Sequence, residues 1–223
     1  MKSFAIYCSG GASRILKFFE SEENRKLFKP TFVLYDGENK DVFDSLQILL
    51  NDIHIFNIKL VDYGDEGKMK PNKLITNLLL KYLIEYNTDF LFCFGKRILK
   101  KNLIDVYKNR LINFHPSILP SFAGSSNGID QAIAYGTQIL GNTAHFIDEG
   151  IDTGKIIIQT ALPLYNYKKY EDVLNLQIPM LKILLKYFCS YEINEDTIIA
   201  EMRYLNKHAI ISYGGIKDHF YEI

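Results

Sequence analysis

Two hydrogen-bonding side chains end an apolar run in the segment RLINFHPSILPSFAG (110–124). Asn113 and His115 are two positions apart, and residues at that spacing on a β-strand point to the same face. The strand would therefore present an amide beside an imidazole that can gain or lose a proton near neutral pH. Pro116 and Pro120 restrict the following backbone and would hold His115 at a fixed angle. A core histidine with satisfied hydrogen bonds is the alternative interpretation.

A second group of ionisable side chains follows in the segment HFIDEGIDTG (145–154). The candidates for one cluster are Asn113, His115, His145, Asp148 and Asp152. Two histidines and two aspartates could also bind zinc. These residues show no helical H-x-x-x-H or H-x-x-E spacing, however, and asparagine is a poor zinc ligand. A site without a metal is therefore predicted.

Two other loops that follow predicted strands contain glycine or cations. SGGAS (9–13) is a glycine-rich turn before a helix, where backbone N–H groups can hold a phosphate. It lacks the G-x-G-x-x-G spacing of dinucleotide sites, and a plain tight turn is the alternative. Lys96 and Arg97 lie in FGKRILKK (94–101), where solvated surface cations are the alternative to a binding site.

These loops are positioned by short apolar runs that alternate with helical patterns. The predicted strands are 3–8, 31–36, 53–62, 89–94 and 111–114, and the predicted helices are 12–28, 41–52 and 72–87. Strands without polar alternation, separated by helices, favour a parallel sheet covered on both faces. The first half is thus predicted to be a doubly wound α/β unit, in which ligands bind at the carboxyl ends of the strands.

The pattern changes after residue 136. Two longer strands, 139–148 and 155–164, are joined by the turn EGIDTG, and a helix over 170–188 is predicted to kink at Pro179. We expect a single domain over 1–223, with a Rossmann-like half (1–110), a catalytic half (111–189) and a C-terminal appendage (190–223). The mostly parallel sheet would thus have a mixed C-terminal part.

Composition limits the partners. Lys and Arg balance Asp and Glu at 26 each, which gives no electrostatic case for a nucleic-acid or membrane partner. Cys8, Cys93 and Cys189 lie in apolar stretches and are predicted to be buried, reduced thiols. No apolar run reaches bilayer length, and the first residues do not form a signal peptide. A cytoplasmic location is expected.

Three segments together resemble the folate-dependent formyltransferases. NFHPSILPSFAG, QAIAYG and GNTAHFIDEGIDTGKIIIQTALPL contain the N-H-P-S-x-L-P segment, the H-x-x-D-E-x-x-D-x-G turn and the G-x-I-I-x-Q strand of that family, in order. The resemblance covers residues 90–164 and is greatest to the phosphoribosylglycinamide formyltransferases. Methionyl-tRNA and amino-sugar N-formyltransferases are related. The basic second domain of the tRNA enzymes is not seen in this sequence.

The resemblance implies transfer of a formyl group from 10-formyltetrahydrofolate directly to an amine, without a metal. By that similarity, Asn113 and protonated His115 would donate hydrogen bonds to the oxyanion of the tetrahedral intermediate. Asp152 would support the charged imidazole and help to move the proton from the attacking amine. The two-residue spacing on the strand would then direct the amide and the imidazole at one oxygen.

The family pattern also assigns residues to the two substrates. The residues expected to bind the folate are Arg97, Ile98, Leu99, His145, Asp148, Glu149, Gly150 and Ile151. The residues expected to bind the phosphorylated acceptor are Gly10, Gly11, Ala12, Ser13, Arg14 and Gln177. The late helix presents Gln177 and Ile178 where the glycinamide enzymes carry a Glu-His pair, which favours an amino-deoxysugar nucleotide as the small-molecule acceptor.

Three alternatives stay open. The acceptor could be glycinamide ribonucleotide, as in purine synthesis. Water could be the acceptor, although the hydrolytic relatives carry an additional amino-terminal domain. The chain could also bind folate without catalysis. The tail YLNKHAIISYGGIKDHF (204–220) is expected to supply a short hairpin, and a homodimer is an open expectation.

Overall fold

The computed structural model describes residues 2–59, 70–166, 169–190 and 210–212. The chain divides into two compact units, Lys2–Ile112 and a second that begins at Asn113. The predicted division into a Rossmann-like half, a catalytic half and an appendage stays a prediction, and most of the appendage lies outside the described residues.

Parallel strands form the sheet of the first unit. They are β1 (Phe4–Ser9), β2 (Phe32–Asp36), β3 (His54–Asn57) and β4 (Phe90–Phe94), and they pair in the order β3-β2-β1-β4. Every residue of β2 and β4 is buried, as the unbroken apolar runs predict. The predicted strand 53–62 is shorter than expected, and residues 60–62 lie outside the described part of the chain.

In the described part of this unit, five helices lie between these strands or follow β4. They are α1 (Ser13–Glu20), α2 (Glu22–Leu27), α3 (Lys40–Leu49), α4 (Pro71–Glu85) and α5 (Lys101–Val106). The single helix predicted over 12–28 is wrong, because Ser21 adopts an extended conformation between α1 and α2. Its hydroxyl accepts a hydrogen bond from the Asn24 N–H at 3.3 Å and so caps α2.

Strand β5 (Leu111–His115) begins in the first unit and ends in the second. The second unit continues with α6 (Gly128–Tyr135), β6 (Ile139–Phe146), β7 (Ile156–Pro163), α7 (Tyr170–Leu174), α8 (Gln177–Leu185) and β8 (Ile210–Ser212). β6, β7 and β8 pair antiparallel in that order. Of the tail expected to form a hairpin, only β8 is described. The predicted α/β class, mostly parallel with a mixed C-terminal part, is confirmed.

Pro179 does not break the late helix where expected. The interruption lies earlier, between the end of α7 at Leu174 and the start of α8 at Gln177. Pro179 is then the third residue of α8, where the missing N–H costs little because first-turn N–H groups have no partner within the helix.

Cys8, Cys93 and Cys189 are buried, as predicted. Burial raises the pKa of Cys8 to about 12 and also raises the pKa of Cys93. Among the helices in the described ranges, none has the length and apolar character that a bilayer crossing requires.

Candidate active site

The carboxyl end of β5 and the turn after β6 bring four polar side chains together in the second unit. β5 ends with Asn113 and His115, and β6 carries His145 one residue before its end. The register of β6 against β7 shifts between Ala144 and His145. Both histidines are buried, and the turn that follows β6 supplies Asp152.

Asp152 lies at the centre of this group. Its Oδ2 is 3.2 Å from Nδ1 of His115 and accepts a hydrogen bond from the backbone N–H of Gly124 at 2.8 Å. Its Oδ1 is 3.5 Å from Nε2 of His145 and 3.5 Å from Nδ2 of Asn113. The Asp152 backbone has φ +56°, a left-handed conformation that few side chains adopt. The turn therefore holds this carboxylate among the side chains of Asn113, His115 and His145.

The hydrogen bonds of His145 fix its tautomer. Nδ1 lies 2.8 Å from the carbonyl oxygen of Phe146, so Nδ1 carries the proton and donates it. Nε2 then accepts a hydrogen bond from Nδ2 of Asn113 at 3.2 Å. His145 thus orients the Asn113 amide, and its assignment to the folate stays a prediction.

Both nitrogens of His115 face oxygen atoms. Nδ1 faces Asp152 and Nε2 lies 3.2 Å from the carbonyl oxygen of Phe122, so only a protonated imidazole can donate to both. Burial nevertheless lowers the pKa of His115, and this outweighs the opposite effects of Asp152 and the Phe122 carbonyl. The neutral ring therefore predominates at neutral pH, and its surroundings are arranged to receive one more proton.

The pKa of Asp152 is lowered. Burial alone would raise it, but the neighbouring His145 imidazole, the hydrogen bond from the Gly124 N–H and the nearby His115 imidazole together lower the pKa further than burial raises it. Asp152 is therefore ionised across the neutral range and can stabilise a positive charge on His115.

The loop after His115 is held by side chains that sequence reasoning missed. Thr143 donates its hydroxyl to the Ser117 carbonyl at 2.8 Å and accepts from the Leu119 N–H at 2.9 Å. Gln159 donates to the Leu119 carbonyl at 3.0 Å and to the Thr143 hydroxyl at 2.9 Å. Gln159 is the last residue of the G-x-I-I-x-Q motif, and this motif is the sequence feature that could have indicated its role.

The turn 148–154 is organised by Asp148. Its Oδ1 accepts hydrogen bonds from the Gly150 N–H at 3.0 Å and the Thr153 hydroxyl at 2.7 Å. A Cβ at Gly154 would lie 1.7 Å from the Phe146 carbonyl oxygen, so only glycine fits there. Four predicted folate-binding residues, Asp148, Glu149, Gly150 and Ile151, thus share one exposed turn with Asp152.

The predicted acceptor loop lies in the first unit, between β1 and α1. Gly10 and Ala12 have φ +61° and +44°, and α1 begins at Ser13. Ala12 provides no side-chain cap, and no acidic residue lies in the first turn of α1. The guanidinium of Arg14 lies 5.5 Å from the centre of the Phe94 ring. Gly10, Gly11 and Ser13 are exposed, whereas Ala12 is buried.

The predicted folate segment 97–99 follows β4 in the same unit. Arg97 donates from Nε to Oδ2 of Asp36 at 2.7 Å. Ile98 is exposed and Leu99 is buried. The Arg97 side chain also lines a cavity of about 630 Å³ with three lysines and several amides. The lining residues are Lys70, Pro71, Asn72, Lys73, Asn77, Arg97, Lys100 and Asn102.

Gln177 has a structural environment that does not favour its predicted contact with the acceptor. Its side chain is fully buried, and Nε2 donates to Oδ1 of Asn142 at 2.8 Å. Asn142 in turn donates to the Val173 carbonyl at 2.7 Å and to the Thr160 hydroxyl at 3.2 Å. The amide of Gln177 is used to satisfy buried polar groups between α8 and β6.

The structure thus brings together Asn113, His115, His145 and Asp152 within the second unit. The predicted residues at 10–14 and 97–99 form local arrangements in the first unit. Over residues 2–59, 70–166, 169–190 and 210–212, no group of three or more His, Cys, Asp and Glu side chains is placed to hold a metal ion.

Comparison with known proteins matches a family model described as formyl transferase over residues 3–177. The phosphoribosylglycinamide formyltransferase of Bacillus subtilis (strain 168) is 27% identical over 182 residues, which cover 78% of this chain and 85% of that protein. The human trifunctional purine biosynthetic protein adenosine-3 is 40% identical over 106 residues, but these cover 42% of this chain and 10% of that protein.

Solved structures agree with this assignment. The phosphoribosylglycinamide formyltransferase of Bacillus halodurans has a TM-score of 0.64 at 26% identity, covering 81% of this chain and 89% of that one. A formyltetrahydrofolate deformylase from Pseudomonas syringae has a TM-score of 0.62 at 21% identity, covering 80% of this chain and 57% of that one, and shows likeness of fold alone. The chain belongs to the formyl transferase family and is an enzyme that transfers a formyl group.

Proposed function

We propose that the chain transfers the formyl group of 10-formyltetrahydrofolate to the amine of glycinamide ribonucleotide. The observation that carries this proposal is the similarity to the Bacillus subtilis phosphoribosylglycinamide formyltransferase, which extends over 85% of that protein. The expectation of an amino-deoxysugar nucleotide is replaced for two reasons. No amino-sugar enzyme is among the relatives described above, and Gln177, on which that expectation depended, is buried in a structural network.

The chemistry needs a neutral amine to attack the formyl carbon. A new C–N bond forms, the bond to N10 of the folate breaks, and N10 receives the proton that the amine releases. The tetrahedral intermediate carries an oxyanion, and hydrogen-bond donors placed beforehand stabilise such a charge by roughly 3–4 kcal/mol. The Asn113 amide and the protonated His115 imidazole are the donors that we assign to it.

The proton has a path in this arrangement. Neutral His115 has two oxygen neighbours and one N–H, so the imidazole is placed to receive a proton as the amine attacks. Asp152, ionised and 3.2 Å away, stabilises the imidazolium while the intermediate lasts. When the intermediate collapses, the imidazolium returns the proton toward N10, directly or through water.

The two substrates would be held by the first-unit loops and by the turn after β6. The first N–H groups of an α-helix have no intrahelical partner and favour an anion, so residues 10–14 suit the ribose phosphate. The assignment to the folate that the family pattern gives is kept for residues 97–99 in the first unit and, separately, for the turn 148–151 in the second. The cations Lys70, Lys73 and Lys100 beside Arg97 suit the carboxylates of a folate.

The test is a comparison of acceptors with purified protein and 10-formyltetrahydrofolate. Tetrahydrofolate formation is measured with glycinamide ribonucleotide, with an amino-deoxysugar nucleotide, or with no amine. We expect the highest kcat/KM with glycinamide ribonucleotide. A higher value for the sugar nucleotide would restore the earlier expectation, and formate release without an amine would indicate a hydrolase. His115→Ala is the control for contaminating activity.

A further inference from the structure

We propose that Asp36 is a positioning residue for folate binding, acting through Arg97. This inference rests on the proposed function, because it concerns the segment 97–99 that we assign to the folate. Neither the family pattern nor the strand pattern of the sequence singles out Asp36. It is simply the last residue of β2.

Asp36 lies at the centre of a buried polar group at the carboxyl ends of three neighbouring strands. Its side chain is fully buried. Oδ2 accepts a hydrogen bond from Nε of Arg97 at 2.7 Å and one from the hydroxyl of Tyr7 at 3.3 Å. Tyr7 is on β1, and Arg97 follows β4. One carboxylate oxygen therefore connects all three strands.

Tyr7 and Arg97 keep their protons across ordinary pH. Burial and the Asp36 carboxylate raise the pKa of Tyr7, so the phenol keeps its proton and donates it. The hydrogen bond to Asp36 raises the pKa of Arg97, so the guanidinium stays charged. The interaction is therefore a charge-assisted hydrogen bond to Arg97, supported by a neutral donor.

Burying Asp36 is unfavourable for folding. A buried carboxylate has a large desolvation cost that its partners must offset. Among the residues that the structure describes, none donates a hydrogen bond to its second oxygen, Oδ1. A packing role alone would be served as well by an uncharged side chain. The arrangement is therefore better explained by control over Arg97 than by stability.

Two further contacts fix the turn that carries Arg97. A Cβ at Gly95 would lie 2.1 Å from the Tyr7 ring, so the ring packs directly on the backbone of this turn. The N–H of Lys96 donates to the Ser9 hydroxyl at 3.2 Å. The turn is thus attached to β1 at Tyr7 and Ser9 and to β2 at Asp36 before any ligand binds, which lowers the ordering cost of binding.

The position of Arg97 differs from that of the other cations in its cavity. Lys70, Lys73 and Lys100 are exposed, whereas the Arg97 side chain is only 23% exposed and its charge is compensated by Asp36. Arg97 therefore contributes to the cavity mainly a guanidinium in a fixed position, because Asp36 already compensates its charge. Loss of Asp36 should weaken folate binding without changing the chemical step.

The experiment measures the Kd of an analogue that carries no formyl group, 5,8-dideazafolate, by calorimetry, together with kcat at saturating 10-formyltetrahydrofolate. Asp36→Asn keeps the volume of the side chain and removes its charge. We expect a rise in Kd of about fivefold or more, because a hydrogen bond between charged groups is stronger than one between neutral groups. We expect kcat within threefold of wild type.

A double-mutant cycle separates positioning from general destabilisation. If Asp36 acts through Arg97, the double variant should have nearly the same Kd as the single variant Arg97→Gln. Additive effects would overturn the inference, and so would a Kd for Asp36→Asn within twofold of wild type. If Asp36→Asn does not fold, Tyr7→Phe removes one donor to Asp36 and keeps the ring. An unchanged Kd in that variant would also overturn it.

The matched control is Asp89→Asn. Asp89 immediately precedes β4, at the opposite end from Arg97, and accepts hydrogen bonds from the Ser3 N–H at 2.7 Å and the Ser3 hydroxyl at 3.0 Å. The Kd of the Asp89→Asn variant for the analogue should stay within twofold of wild type even if the melting temperature of the variant falls. If the wild-type protein does not bind the analogue, the proposed function fails and this inference fails with it.

Discussion

Nδ1 of His115 lies 3.2 Å from Oδ2 of Asp152, and both side chains are largely buried. The same carboxylate oxygen accepts the Gly124 N–H, so Asp152 also restrains the loop that follows His115. Asp152 therefore both stabilises a positive charge on His115 and holds the loop that follows His115 in place. Substitutions of either residue should be judged by kinetics and by stability together.

Asp152→Asn should reduce kcat more than Asp148→Asn. The first substitution removes the charge that stabilises protonated His115, whereas the second weakens hydrogen bonds within the turn, to Gly150 and Thr153. We expect a loss of about a hundredfold or more for Asp152→Asn, within the range of acid–base contributions. Side-by-side kinetics of two folded variants test this, and the reverse ranking would contradict it.

His115→Ala should abolish turnover while folate binding is largely kept. An interaction that acts on the charge of the intermediate lowers kcat more than it weakens ground-state binding. The measurement pairs single-turnover rates with the Kd of the folate analogue. A turnover within threefold of wild type would remove His115 from the proposed mechanism.

Asn113→Ala should lower kcat by at least about two orders of magnitude, the typical loss of one oxyanion donor. The amide is oriented by Nε2 of His145 at 3.2 Å, so His145→Ala should show a smaller loss in the same direction. Parallel kcat measurements test the order of the two effects. A larger loss for His145→Ala would mean that Asn113 is not the principal donor.

The stability of the protein should depend on pH through His115. Burial lowers the pKa of folded His115, while an unfolded histidine titrates near about 6.5. Below that pH the unfolded chain binds more protons than the folded chain. The free energy of unfolding therefore decreases as the pH is lowered, and it becomes constant below the pKa of folded His115. Urea denaturation of wild type and His115→Gln between pH 7.5 and 5 tests this. We expect a flatter pH dependence for the variant, and equal slopes would contradict the assignment.

Gln159→Ala should destabilise the second unit by about 1–3 kcal/mol, because it removes the hydrogen bond to the carbonyl of the buried Leu119. The lost bonds hold Leu119 and Thr143, so kcat should fall as well. Gln138→Ala is the matched control, since Gln138 is exposed and donates to the neighbouring Gly136 carbonyl. Equal changes in the free energy of unfolding would show that Gln159 does not anchor the loop.

The sequence predicted best those features that depend on local periodicity. Unbroken apolar runs located the parallel strands, and the two-residue spacing located Asn113 and His115 at the end of β5. The convergence of His145 and Asp152 on that strand required the family resemblance as well. No local pattern could indicate a contact between segments so far apart in the chain.

The sequence failed where tertiary contacts decide the outcome. The Asn142 partner of Gln177 was missed because a helix pattern does not reveal which neighbours a polar side chain meets, and the assignment of Gln177 to the acceptor stays a prediction. Asp36 was missed because its partner Arg97 is 61 positions away. The break at Ser21 was missed because the polar residues that follow it are compatible with a continuing helix, although serine is a favourable cap.

The left-handed backbone of Asp152 has a consequence for protein engineering. At φ +56° glycine or asparagine would be as comfortable as aspartate or more so, and neither would bury a charge. The backbone of the turn would therefore tolerate either replacement, although both would remove the carboxylate that restrains Gly124 and faces His115. A stabilised version of this enzyme should hold position 152 constant and take its improvements from surfaces far from the turn.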